Sequence, residues 1–316
     1  MEFGKVYDIS TVDFSLAPDD IKTTGVLKKA TAATAFQKKA STSAGGGVSP
    51  FVAVGSPTWT QKKWIGTIYP KGLESKNFLK TYSEQFTCIE LNTTYYRIPD
   101  LATVERWHDT TAPDFTFCPK FPQSISHSGD LLNQTANAIA FCEVMLHLKK
   151  KLGTTFLQLP PQFSPTEFGS LLKFFSSLPP EFPVAVELRH PGFFGNRNLR
   201  EIFFSNLANR GISTVITDVA GRRDLSHSSL TTPTAFIRFI GNALDPTDYS
   251  RLDDWVLKIE NWIKLGLEKI YFICHEPDDL TSPEIIKYFS DKINQHCGLD
   301  LRVWSPKVQG TQLGLF

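Results

Sequence analysis

From residue 48 onward, short apolar runs alternate with longer stretches in which apolar side chains return every three or four positions, and this continues to about residue 301. The short runs predict strands at 51–56, 86–92, 115–120, 154–159, 183–188, 213–218, 234–240 and 269–274. The longer stretches predict helices at 75–84, 101–108, 131–151, 165–177, 197–210, 246–265 and 282–296. Only the connection 219–233, after the sixth strand, carries no helical pattern. Strands that alternate with helices pair in parallel through crossovers. Eight such units in roughly 250 residues have the size of a closed (β/α)8 barrel of the TIM type. A doubly wound open sheet competes, but no Gly-rich dinucleotide fingerprint follows the first strand.

The flanks read differently. In residues 1–47 the apolar positions have no sustained period, Thr, Ala, Ser and Lys dominate from Thr23, and Ala44-Gly45-Gly46-Gly47 closes the segment like a hinge. We expect a flexible N-terminal extension outside the core, with at most a short helix over 25–39, then the barrel over 48–301 and a tail over 302–316.

Composition narrows the function classes. The chain has 316 residues, 41% of them hydrophobic, with 33 Lys+Arg against 32 Asp+Glu for a net charge of +1. That balance leaves no broad basic face for tight, nonspecific binding of nucleic acid, although a narrow basic cleft is compatible with it. No apolar run approaches the roughly 20 residues of a membrane helix. The first residues, MEFGKVYDISTVDFSL, lack the layout of an export signal. Five cysteines, Cys88, Cys118, Cys142, Cys274 and Cys297, are an odd number without a CxxC pair, which argues against a disulfide framework. The expectation is a reduced, cytoplasmic protein.

In such a barrel, side chains beyond the C-terminal strand ends share one mouth. The sequence places there Glu90, Asn92, Tyr95, Tyr96 and Arg97 after strand two, Lys120 and His127 after strand three, and Gln158 on strand four. Strand five contributes Glu187, Arg189 and His190, strand six Asp218, strand seven Arg238 and strand eight His275. Glu187, Arg189 and His190 put an acceptor, a forked donor and a group that titrates near neutrality within four residues. Glu90, Lys120, Glu187, Arg189, His190 and Asp218 are the catalytic candidates: Glu187 as acid or base, Arg189 or Lys120 as anion holder. Asn92, Tyr95, Tyr96, Arg97, His127, Gln158, Arg238 and His275 are the substrate-binding candidates, with the tyrosines suited to stacking on a ring. The competing reading is that Glu187 pairs with Lys120, Arg189 or Arg238 in a filled polar layer that only holds the barrel together. Glu90, His127, Glu187, His190, Asp218 and His275 could supply ligands for a divalent metal. No local spacing supports one, and the three cations in the same region favour an anionic ligand instead.

The stretches VGSPTWTQKKWIGTIYP (54–70), FTCIELNTTYYRIP (86–99), FTFCPKFPQSISH (115–127), LQLPPQF (157–163), VAVELRHPGFF (184–194) and FIRFIG (236–241) resemble, in order, the signatures of the domain of unknown function 72 family, also called YecE-like. The likeness spans about residues 51–295. It implies a TIM-type barrel related in shape to the endonuclease IV and xylose isomerase-like barrels, in a family without an established activity, and names no reaction; our own expectation for an enzyme of this barrel type is a hydrolase or lyase. The likeness points to the same mouth residues, Tyr95 and His275 apart. Two positions depart from the family pattern: Ile240 stands where a His usually precedes Gly241, and Ile273-Cys274-His275-Glu276 replaces a Phe-Asn-Asn run.

The last residues, Gln312-Leu313-Gly314-Leu315-Phe316, resemble the pentapeptide with which bacterial DNA polymerases and repair proteins grip the sliding clamp. Gln312 would bond at the rim of an apolar groove filled by Leu313, Leu315 and Phe316. Tethering to a clamp on DNA raises local concentration to roughly millimolar, so a nearly neutral barrel could act there. The leading expectation is therefore an enzyme acting on a phosphate-containing ligand, in DNA repair or nucleotide metabolism. The alternatives are a sugar or sugar-phosphate isomerase or hydrolase, and a noncatalytic nucleic-acid-binding module.

Overall fold

The computed structural model describes residues 4, 6–40 and 49–304. The strands are β1 (Phe51–Ser56), β2 (Cys88–Leu91), β3 (Thr116–Pro119), β4 (Thr155–Gln158), β5 (Val184–Glu187), β6 (Ser213–Asp218), β7 (Thr234–Ile240) and β8 (Lys269–His275). All pair in parallel in the order β3-β2-β1-β8-β7-β6-β5-β4. The ring is nearly closed by isolated bridges between β3 and β4, Phe117 to Leu152 and Lys120 to Phe156. The chain is thus an α/β protein with a (β/α)8 barrel of the TIM type. The strand ranges agree with the apolar runs to within about two residues at each end, because strands buried on both faces read as continuous apolar segments.

The helices are α1 (Ile21–Ala40), α2 (Phe78–Gln85), α3 (Thr93–Tyr96), α4 (Leu101–Thr110), α5 (Gln123–Ser126), α6 (Thr135–Leu146), α7 (Phe168–Ser177), α8 (Arg197–Ala208), α9 (Pro246–Leu265) and α10 (Ser282–Cys297). Residues 219–233 hold only a six-residue 3-10 turn, Ala220–Leu225. One core joins the outer faces of the strands to the helices, with Trp64, Trp255, Trp262 and Phe289 fully buried. A second, smaller apolar cluster fills the barrel itself: Ala53, Cys88, Cys118, Phe156, Ala185, Val215, Phe236, Tyr271 and Ile273. All five cysteines are free.

The described part of the N-terminal segment corrects the expectation of an extension outside the core. Leu27 on α1 is fully buried within the main apolar cluster. Ahead of it, Asp19 accepts from Lys258 and from the Trp262 indole, each at 3.0 Å. Asp20 accepts from the Ser229 hydroxyl, and the Thr23 hydroxyl donates to the Ser228 carbonyl at 3.2 Å. Phe14 lies 4.8 Å from the Arg251 guanidinium. At the end of α9, Gly266 has φ +112°, and a Cβ there would lie 2.1 Å from the Thr31 hydroxyl, so glycine lets α1 cross closely. Polar anchors of this kind have no periodic signature, which is why composition alone reads as a loose arm. The Ala44–Gly47 stretch at 44–47 and the peptide at 312–316 lie outside the described residues.

Candidate active site

Alternation along a strand turns the apolar plug into a site. Two residues beyond each plug position, one residue per strand faces the axis: Gly55, Glu90, Lys120, Gln158, Glu187, Thr217, Arg238 and His275. Gly55 adds no side chain, so seven side chains share this layer.

Arg238, with no exposed surface, is its centre. Its Nε and Nη2 donate to Glu90 Oε2 at 2.8 Å and Oε1 at 3.0 Å, a two-pronged clamp, while Nη1 donates to Glu187 Oε2 at 3.0 Å. Arg189 Nε donates to the other Glu187 oxygen at 2.6 Å. The Gln158 amide donates to Glu187 Oε2 at 2.8 Å, which fixes its carbonyl to receive Lys120 Nζ, also at 2.8 Å. His275 Nε2 stands 3.2 Å from Glu90 Oε2, and Asn92 donates to Glu90 Oε1 at 3.0 Å. Lys120 lies 4.1 Å from the centre of the Tyr95 ring, and the His127 ring meets Tyr95 edge-on at 5.8 Å.

Electrostatics divides these groups. Burial alone would raise the Glu187 carboxyl, but Arg189 and Arg238 outweigh it and bring it down to about 2. Glu90, under the same contest between burial and Arg238 with His275, is held well below the usual carboxylate range. Lys120 moves the other way: burial, reinforced by Arg238, lowers its ammonium to about 8 against the pull of Glu90 and Glu187. Burial, with Lys120 and Arg189 nearby, also lowers His127. The Thr217 hydroxyl has no hydrogen-bond partner among the described residues.

Three expected members fall elsewhere. Asp218 follows the axial Thr217, so parity turns it outward. There it pairs with Arg223 and Arg251 and accepts from the Trp255 indole at 2.9 Å, a buried cluster that ties β6 to α9. His190 lies past the strand end in the loop, where its Nδ1 accepts the Gly192 N–H at 3.0 Å as the cap of the 3-10 turn Pro191–Phe193. Arg97 is exposed and lines a separate cleft of about 440 Å³ with Thr103, Arg106 and Trp107. Tyr96 is 80% exposed beside Tyr95. Among the described residues no group of three or more His, Cys, Asp or Glu side chains could hold a metal ion. Of the six candidate metal ligands only Glu90 and His275 meet, and Arg238 occupies the other side of Glu90.

Glu276 was not among the expected site residues. Next to β8, it lines a cleft of about 650 Å³ that also takes in His275, Asn92, Asp245, Asp279 and, from the N-terminal segment, Val6. Its Oε2 accepts the Ala243 N–H at 2.9 Å in a loop where Ala243 and Leu244 both have left-handed φ, +63° and +62°. Its Oε1 has no hydrogen-bond partner among the described residues and sits so close over Gly241 that a Cβ there would lie 1.9 Å away. Burial, with Asp248 adding to it, raises this carboxyl to about 7. The only sequence signal was a charged residue at a strand end before Pro277.

Barrel and polar mouth define a TIM-type α/β protein with a charged axial layer. The chain belongs to the family described as protein of unknown function DUF72, whose model matches residues 53–309. It is 33% identical over 253 residues to UPF0759 protein YecE of Escherichia coli strain K12, covering 74% of this chain and 90% of that one; the O157:H7 counterpart matches equally. Two crystal structures of a DUF72 family protein from Enterococcus faecalis V583 have the same fold. Their TM-scores are 0.63 and 0.61 at 18% and 17% identity, covering 82% and 80% of this chain and 99% of theirs. The family match begins at residue 53, so the segment that packs α1 against the barrel lies ahead of it.

Proposed function

We propose that this chain is an enzyme whose barrel mouth takes hold of its ligand through a phosphate or carboxylate group. The observation that carries this reading is the charge balance of the axial layer. Arg238 claims both carboxylates, and Arg189 takes the remaining oxygen of Glu187. Lys120 is only 7% exposed, yet its partners are an amide oxygen and an aromatic face. Burying a cation without a counter-ion is costly, and an incoming anion removes that cost. Tyr95 and Tyr96 offer ring faces for a base or sugar attached to that anion.

Proton transfer falls to groups that are not clamped in the ion pairs of the axial layer. Glu187 and Glu90 stay ionised and clamped, so neither serves as a proton donor at neutral pH, which weighs against a two-carboxylate glycoside mechanism. Glu276 and His127 are the better acid–base candidates. Inorganic phosphate should raise the melting temperature of the intact protein, and Lys120→Met should remove that rise. Equal shifts in both proteins would refute the anion site.

Recruitment to a sliding clamp is the accompanying proposal, and it rests on the sequence Gln312-Leu313-Gly314-Leu315-Phe316. It would bring the barrel to DNA and favour a phosphodiester or nucleotide over a free sugar phosphate as ligand. The full chain should bind its own clamp in fluorescence anisotropy, and a chain lacking 312–316 should not; equal affinities would end this reading.

A further inference from the structure

Lys120 is held in one place. Its N–H donates to the Thr94 hydroxyl at 3.1 Å, the same hydroxyl donates to the Lys120 carbonyl at 2.7 Å, and the next N–H, of Phe121, donates to Phe156 at 3.0 Å. Its Nζ then lies between the Gln158 oxygen, the Tyr95 ring at 4.1 Å and the Phe156 ring at 5.9 Å. Among the described residues no carboxylate forms an ion pair with it. The Gln158 oxygen, fixed by the bond from its amide to Glu187, accepts from a neutral amine as well as from an ammonium. The charged and titratable groups that act on this spot are Glu90, Tyr95, His127, Glu187, Arg189 and Arg238; the two guanidiniums disfavour a third positive charge.

We propose that Lys120 is an amine nucleophile that forms a Schiff base with an aldehyde or ketone carried by a small anionic ligand. This deepens the anion-site reading and rests on it only for what holds the ligand's charged end. The Nζ lone pair attacks the carbonyl carbon, and the C=O π pair moves to oxygen. A proton passes from nitrogen to that oxygen to give the carbinolamine. A proton taken from solvent, equivalent to the one given up when the ammonium became the free amine, lets the hydroxyl leave as water while the nitrogen lone pair forms C=N, so the iminium takes the place of the lysine's charge. With the amine brought down to about 8, about a quarter of it is neutral at pH 7.5.

The test uses the full chain with pyridoxal 5′-phosphate, an aldehyde bearing a phosphate, and with glycolaldehyde, an uncharged aldehyde. Each is fixed by the hydride donor sodium cyanoborohydride and mapped by peptide mass. Lys120 should be labelled by both, at least roughly tenfold faster than exposed lysines such as Lys62 and Lys63, with a rate that reaches half its maximum near pH 8. Inorganic phosphate should slow the pyridoxal phosphate reaction, and Lys120→Arg should carry no adduct at that position. Labelling of Lys120 no faster than of exposed lysines by either probe overturns the proposal, even where phosphate still stabilises the protein. Fast labelling by glycolaldehyde with no effect of phosphate upholds the amine and removes the anion site instead.

Discussion

Glu187 and Lys120 sit in one layer, yet their removal should have opposite effects. Glu187→Gln keeps the shape but strips the charge shared by Arg189 and Arg238, leaving buried guanidinium without its full partner; about 3–5 kcal/mol of stability should be lost, read as a lower urea midpoint. Lys120→Met removes a buried ammonium that has no carboxylate of its own, so the ligand-free protein should be as stable as before or more so. The pH dependence has two limbs. Glu187 has a native value of about 2, below that of an unfolded chain, so its contribution is complete above roughly pH 4.3 and disappears as pH falls toward 2. Lys120 has a native value of about 8, below roughly 10.4 unfolded, so the native state releases its proton first and stability should rise by up to about 3 kcal/mol between those values. Urea melts of wild type and Lys120→Met from pH 7 to 10.5 check this: the rise should be absent in the variant. Most of these residues were legible because period-two alternation ties each to an apolar partner two positions earlier. Asp218 and His190 were misplaced for the same reason: one has the opposite parity, and the other lies where the chain has already turned.

At the scale of elements, the barrel strands announced themselves through apolar runs, while the N-terminal segment did not. It holds on through single polar residues, Asp19, Asp20 and Thr23, and one fully buried leucine, and no period connects them. Leu27→Ala should cost about 2–5 kcal/mol in a urea melt, as at any core leucine, whereas an arm outside the core would tolerate the change without a shift. The loop after β7 was equally illegible, since the left-handed conformations of Ala243 and Leu244 have no residue signature. Its link to Glu276 makes Gly241→Ala a sharp probe. The added methyl cannot share space with the Glu276 carboxyl, so that side chain must leave its Ala243 contact, and the melting temperature should fall while Lys120 keeps its titration.

On the scale of the whole molecule, a net charge of +1 conceals an uneven distribution. Around its Nζ, Lys120 meets Arg189 and Arg238 together with Glu90 and Glu187, so at this spot cations outnumber carboxylates. Eight strands converging on one ring assemble this surplus from residues up to 148 positions apart, as between Glu90 and Arg238, which is why composition gives no hint of it. Among the described residues no helix is long and apolar enough to cross a membrane. The most direct measurement is NMR titration of the Lys120 side chain in isotopically labelled protein, with and without inorganic phosphate. The midpoint should lie near pH 8 without phosphate and move clearly upward once an anion binds beside the ammonium. A midpoint near 10.4, unmoved by phosphate, would contradict it.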